Sequence, residues 1–382
     1  MRLHVYAASI AAACAMALGS ASAQDIKLPG QIAWTAYDTG SAGYNQAVAI
    51  GGALKNELGV DLRVLPGKND VSRNEPLRQG RVQFSATGVG ASFMAQEGVF
   101  EFGEKRWGPQ AIRVLLANNG NINLAVGVAG DIGVKTYADL KGKRVAWVRG
   151  APALNVNVTA YLAFAGLTWD DVIKVEFGGF GDSWNAIING QADAAFAATN
   201  SGKVYELEAS PRGIVWPPLP HEDTEGWARM RAIAPFFQPN MATVGAGMSK
   251  ENPYEGGAYP YPVLTAYESQ DGDLAYNMTK AMVELFPQYD GKAPGIGGWA
   301  LERQNFKWAV PYHDGAIRYF KEKGVWNDEA QAHNDRLLER QRVLAQAWQE
   351  ALTLDVADDK WEETWVQKRR MALEAAGFDP VF

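Results

Sequence analysis

From Gln31 onward the chain alternates short apolar runs with stretches of helical spacing. Gln31 to Ala36 reads as a strand, and Ala47 to Leu58 as a helix with small residues on one face. Val60 to Leu65, VDLRVL, alternates apolar and polar side chains as a half-buried strand does. A short helix is expected over Glu75 to Gln79, and strands over Val82 to Ala86 and Ile112 to Ala117. Tyr137 to Leu140 predicts a helical turn and Lys143 to Val148 a strand, followed by a helix running to about Ala165. The pattern returns as a strand over Val263 to Tyr267 and a helix from about Leu274 to Leu285. Such strand–helix alternation predicts an α/β architecture with mostly parallel sheets.

Two distant stretches echo each other. Val60 to Gly90 and Val172 to Gly202 both read as strand, Gly-containing polar loop, short helix, glycine, then a small-residue strand ending in a Thr-containing loop. Leu77-Arg78-Gln79-Gly80 parallels Ile187-Ile188-Asn189-Gly190, and each glycine suits the left-handed residue that ends a helix. The echo predicts two lobes built on one plan. Asn252 to Pro262 is rich in Gly, Pro and Tyr and reads as an inter-lobe segment. From Asp328 onward the chain is charged and helical, with Leu337, Leu338, Val343, Leu344 and Trp348 at helical spacing and Trp361, Trp365 and Met371 beyond. An amphipathic tail of this kind predicts a packed helical appendage.

The first residues change the picture of where the protein works. Arg2 is followed by an apolar, Ala-rich run from Val5 to Leu18, and Ala21-Ser22-Ala23 offers small residues for cleavage before Gln24. The run is shorter than the ~20 residues a membrane-spanning helix needs. A cleaved signal peptide over residues 1–23 and a periplasmic mature protein are therefore expected. The chain's single cysteine, Cys14, lies in that segment. Loss of it excludes disulfides, thiolate zinc sites and cysteine nucleophiles from the mature chain. A net charge of −7, with no long basic run, argues against a nucleic-acid partner.

Catalytic motifs are sparse. The mature histidines are His221, His313 and His333, and none has metal-ligand spacing. There is no GxSxG elbow, no SxxK and no phosphate-cradling GK[ST] ending. Tyr312-His313-Asp314 is the best catalytic-looking cluster. No cofactor and no metal are expected. The positive signal lies in four small-residue loops at strand ends: Thr39 to Tyr44, Thr87 to Ser92, Arg149 to Asn155 and Thr199 to Gly202. Ligands bind open α/β sheets beyond the carboxyl ends of the strands, and helix N-termini favour anions.

The ordered set TGSAGYNQAVAIGGALK, LRQGRVQFSATGVGASFMAQEG, KTYADLKGKRVAWVRGAPALN, IINGQADAAFAATN and GGAYPYPVLTAYES resembles the TAXI family of TRAP-transporter solute receptors. The resemblance spans about Ile32 to Tyr319. It implies a two-lobed type II periplasmic-binding-protein fold with a ligand cleft between the lobes. Lobe one would comprise residues 24–126 and 256–327, lobe two residues 127–255, and residues 328–382 a C-terminal helical extension. It also implies a monomeric, non-enzymatic receptor that passes a small organic anion, such as a dicarboxylate, oxo acid or amino acid, to a TRAP-type membrane permease. The expected ligand contacts are Thr39, Ser41, Tyr44, Thr87 and Gly88 from lobe one and Arg149, Asn155, Thr199 and Asn200 from lobe two. Tyr259 would reach in from the inter-lobe segment and Trp184 would form an apolar wall. Arg149 is the expected carboxylate clamp. Of the family's first loop, which commonly carries paired tyrosines, only Tyr44 matches. The alternatives are a receptor for an ATP-driven importer, a periplasmic enzyme using Tyr312, His313 and Asp314, and a sensor that docks through its C-terminal helices.

Overall fold

A computed structural model of the protein describes residues 26–382; the expected export segment, with Cys14 and the cleavage point before Gln24, lies outside the described residues. Two five-stranded sheets carry the architecture. The first contains β1 (Gln31–Tyr37), β2 (Asp61–Gly67), β3 (Phe84–Thr87) and β4 (Ile112–Ala117). The second contains β5 (Leu124–Ala129), β6 (Arg144–Val148), β7 (Ile173–Phe177), β8 (Ala194–Ala198) and β9 (Ile214–Val215). A separate hairpin pairs β10 (Gln238–Ala242) with β11 (Tyr254–Ala258), and β12 (Val263–Tyr267) then returns to the first sheet. The strand orders are β2-β1-β3-β12-β4 and β7-β6-β8-β5-β9. In each sheet the first three are parallel and the fourth is antiparallel to the third. This is the two-lobed type II arrangement expected from the sequence.

The matching orders agree with the internal echo in the sequence. β2, helix α2 (Asp70–Arg78) and β3 follow helix α1 (Ala42–Leu58) in lobe one, and helix α3 (Val89–Glu97) comes next. In lobe two, helix α4 (Pro152–Phe164) precedes β7, helix α5 (Phe180–Ile188), β8 and helix α6 (Gly202–Glu208). Gly80 and Gly190 adopt φ of 66° and 72° after their helices, and their N–H groups donate to Leu77 O and Ile187 O at 3.0 Å. The left-handed turn both require is the one glycine adopts without penalty.

Three elements differ from the sequence expectation. Helix α1 begins at Ala42, not Ala47, because the Ser41 hydroxyl caps it by accepting from Tyr44 N at 3.2 Å. Helix α2 begins at Asp70, not Glu75. Asn69 and Ser72 form a reciprocal cap that starts the helix early, leaving Pro76 inside it rather than in its first turn. The segment from Asn252 to Pro262, expected as an inter-lobe segment with no strand assigned, contains β11, whose ladder with β10 satisfies its backbone.

The C-terminal extension is a pair of helices, Asp328–Leu352 and Asp358–Ala375, packed against lobe one. Its anchor is the fully buried Glu97 at the end of α3. Arg340 Nε and Nη2 donate to its two carboxylate oxygens at 2.6 and 2.8 Å, and Arg369 pairs with the same group. Trp361 Nε1 donates to Gly103 O at 2.8 Å. Trp348, Trp361 and Trp365 interlock edge to face, whereas Met371, expected on that face, is exposed.

Candidate functional site

At the carboxyl ends of the central strands the two lobes enclose a narrow cavity of about 30 Å³. Lobe one contributes Tyr37 from the end of β1, Arg73 from α2, and Gly88 and Ala91 from the start of α3. Lobe two contributes Ala153 and Asn157 from α4, Phe180 from α5, Phe196 from β8 and Ser201 before α6. Tyr259 and Tyr261 cross between them on the segment from β11 to β12. A Cβ at Gly88 would stand 3.3 Å from the Tyr261 ring, so a glycine there leaves room for the tyrosine.

The electrostatic centre is Asp70 with Arg73, whose side chains are both fully buried. One turn of α2 separates them, and Arg73 Nη2 donates to Asp70 Oδ1. The guanidinium lies over the Tyr37 ring, 3.8 Å from its centroid. Arg73 Nε and Nη1 and Asn157 Oδ1 are buried without hydrogen-bond partners, whereas the Tyr37 hydroxyl is directed at the Asp70 carboxylate. Buried polar atoms are nearly always paired, so three unpaired ones on two cavity residues point to a ligand. Burial pushes the Asp70 carboxyl above its ordinary 3.8, against the opposing pull of Arg73. Burial also raises the phenols of Tyr37, Tyr259 and Tyr261, which keeps them neutral.

Two aspartates of lobe one cap helices of lobe two. Helix α4 has no side-chain cap of its own, and Asp70 Oδ2 accepts from Ala153 N in its first turn at 2.8 Å. Helix α5 is likewise uncapped locally, and Asp38 Oδ2 accepts from Gly181 N at 3.0 Å. A carboxylate at a helix N-terminus is stabilised by its unpaired N–H groups and its dipole. Main-chain bonds reinforce the closure: Val71 N donates to Gly150 O at 3.1 Å, Phe180 N to Lys68 O at 3.1 Å, and Lys203 N to Gly40 O at 3.2 Å. The lobes are thus seen closed on each other.

Of the residues expected to contact ligand, Gly88 and Tyr259 line this cavity, and Tyr259 OH accepts from Asn157 Nδ2 at 2.7 Å. Thr39 is exposed. Ser41 is the α1 cap described above, and Tyr44 is half-buried against the core. The Thr87 hydroxyl is buried without a partner, but its residue is not on the cavity wall. Arg149 is 66% exposed and faces Glu176 at 3.7 Å, so the expected clamp lies outside the cavity. The left-handed Gly150 that follows it turns the chain there. Asn155 spends its amide on Val148, accepting from N and donating to O at 2.9 Å each, which locks the turn into α4. Thr199 Oγ1 donates to Val244 O at 2.9 Å, and Asn200 Nδ2 to Pro294 O at 2.7 Å. Trp184 is fully buried beneath Phe180, its Nε1 directed at Phe196 O at 3.3 Å, and it packs rather than lines.

The cluster Tyr312-His313-Asp314 is committed to structure. His313 Nδ1 accepts from Gly315 N at 3.1 Å and caps the Asp314–Glu322 helix. Burial lowers its pKa below the ordinary 6.5. Tyr37, Asp70, Arg73, Asn157 and Tyr261 were not singled out by sequence. One signal was available: the echo places Asp70 and Arg73 opposite Phe180 and Ser183, at the carboxyl end of β2 where a ligand loop belongs.

Among the described residues, no helix is long and apolar enough to cross a membrane, and no group of three or more His, Cys, Asp or Glu could hold a metal. Among solved structures the chain is similar to an alkanesulfonate-binding protein from Xanthomonas axonopodis pv. citri bound to MOPS, at 15% identity and a TM-score of 0.46, over 84% of this chain and 92% of that one. It is similar to a Prochlorococcus marinus protein in complex with methylphosphonate, at 9% identity and a TM-score of 0.43, over 78% of this chain and 100% of that one. It is also similar to a periplasmic aliphatic sulphonate binding protein from Escherichia coli, at 13% identity and a TM-score of 0.37, over 92% of this chain and 89% of that one. A family model matches residues 35–324, most of the described chain, and by that match the protein belongs to the NMT1-like family.

Proposed function

We propose that this protein is a periplasmic solute-binding receptor that encloses a small organic anion between its lobes and delivers it to a membrane importer. The observation that carries the reading is Arg73: a fully buried arginine in an inter-lobe cavity, with two nitrogens, Nε and Nη1, left unpaired. An oriented guanidinium in a dry, aromatic-walled site is a strong receptor for an anionic oxygen. Among the described residues, the cavity wall carries no His, Lys or Cys and no side-chain pair built as nucleophile and base, which supports binding over catalysis. For the membrane partner we read an ATP-driven importer in preference to the ion-gradient permease implied by the TAXI resemblance, because the family match falls on the NMT1-like model.

Native mass spectrometry of the mature protein, purified without added ligand, tests the reading. The expected result is an extra mass that disappears on denaturation and is absent from Arg73→Gln. An adduct whose mass changes with time would favour an enzyme. A protein that carries nothing and gains no thermal stability from any of a broad set of organic anions would defeat the receptor reading.

A further inference from the structure

We infer that the ligand is a small monoanion with an apolar or aromatic body and one hydrogen-bond donor, and that the cavity rejects dicarboxylates. This rests on the receptor reading and narrows it.

The charge inventory comes first. Among the described residues, Arg73 is the one cation on the cavity wall, and it already shares its charge with Asp70. The first-turn N–H groups of Ala153 and Gly181, where lobe two could receive an anion, are occupied by Asp70 and Asp38. Lobe one differs. Helix α3 opens at Gly88 with no side-chain cap, and both Gly88 and Ala91 line the cavity beside Arg73. One anionic group is therefore provided for, between Arg73 and the start of α3. A second carboxylate would meet no further cation, and an uncompensated buried charge costs several kcal/mol.

The unpaired atoms and the walls describe the rest of the molecule. Arg73 Nε and Nη1 require acceptors, whereas Asn157 Oδ1 requires a donor, because its Nδ2 is already spent on Tyr259. Arg73 and Asn157 belong to different lobes, so the ligand meets a group that needs an acceptor on one lobe and a group that needs a donor on the other. Between them the surface is Tyr37, Phe180, Phe196, Tyr259, Tyr261 and Leu124. Neutral phenols and phenyl rings suit an apolar or aromatic body. The cavity between the closed lobes is narrow, about 30 Å³, which restricts the ligand to a small one.

The test is calorimetric titration of the mature protein, unfolded and refolded to strip bound solute, with benzoate, 4-hydroxybenzoate, succinate and 2-oxoglutarate. In parallel, the solute released on first unfolding is identified by negative-ion mass spectrometry. A released monoanion and binding of the aromatic acids are expected, with 4-hydroxybenzoate preferred over benzoate by about 3- to 10-fold. The dicarboxylates should bind at least about 100-fold more weakly. Asn157→Leu should bring the 4-hydroxybenzoate to benzoate ratio close to one, and Arg73→Gln should weaken both acids at least about tenfold. Asn157→Leu leaves the buried ion pair intact, so it remains informative if Arg73→Gln does not fold. A released dicarboxylate, succinate binding as tightly as benzoate, or an unchanged ratio in Asn157→Leu would overturn the inference and leave the receptor reading in place. No released solute and no binding by any of the four would overturn the inference, and with no stabilisation by the broad set of organic anions either, the receptor reading falls too.

Discussion

The segments Val60 to Gly90 and Val172 to Gly202 have the same course and opposite chemistry. In lobe one the first turn of the helix carries Asp70 and, three residues on, Arg73; in lobe two the same places hold Phe180 and Ser183. One lobe brings a buried ion pair to the cleft, the other an aromatic wall and a serine. Ser183 Oγ donates to Phe180 O at 2.7 Å and closes its own turn, whereas Arg73 keeps two nitrogens unpaired. The difference teaches that a repeated backbone places the loops, and each copy's side chains then divide the labour between holding charge and excluding water.

The sharpest way to break the comparison is Arg73→Met. It leaves Asp70 buried without its partner and should cost about 3–5 kcal/mol of stability in urea melts. Adding Asp70→Leu, so that lobe one becomes apolar there as lobe two is, should recover most of that loss and still abolish ligand binding. A double variant no more stable than Arg73→Met would show that the pair does not act as a unit. Next in size is Asp38→Ala, which removes the cap that lobe one lends to α5. A loss of about 1 kcal/mol is expected, together with a more open solution envelope in small-angle scattering. Ser183→Ala, the lobe-two counterpart of Arg73, should cost no more than about 1 kcal/mol and leave ligand affinity unaltered.

A slope rather than a loss separates Asp70 from Asp193. Burial raises the Asp70 carboxyl above 3.8, so folding favours its proton. Its contribution to stability therefore falls as pH rises from 3.8 through the raised value. Asp193 in lobe two is also pushed up by burial, but Arg144, through side-chain and backbone hydrogen bonds and its charge, with Arg212, outweighs this and holds the carboxyl below 3.8. Its contribution is present above 3.8 and lost as pH falls through the depressed value. Urea melts across this range should show a less negative pH slope in Asp70→Asn and a less positive one in Asp193→Asn. Slopes that shift in the same direction would contradict the assignment.

Much of this was legible in one dimension. The strand patterns, the two glycine-terminated helices and the amphipathic tail each state a local preference that tertiary packing did not overrule. The site was less legible, and Arg149 and Arg73 show why. Arg149 stands at a strand end before a glycine turn, the textual position of a ligand clamp, yet its side chain points to Glu176 and solvent. Arg73 stands in a polar stretch, NDVSRN, that reads as a solvated loop. An Asn69–Ser72 cap made that stretch a helix, and closure of lobe two buried it.

The sequence by itself determined the α/β alternation, the doubled plan and the absence of cysteine from the described residues. These follow from periodicity, from repetition and from the position of one residue, and all are local properties of the chain. Only the tertiary structure decided which arginine is buried, which aspartates cap which helices, and which tyrosines face the cavity. Those outcomes depend on surfaces far apart in sequence meeting across a cleft. The cost of burying a charge is set by the partners that arrive there, not by its neighbours along the chain.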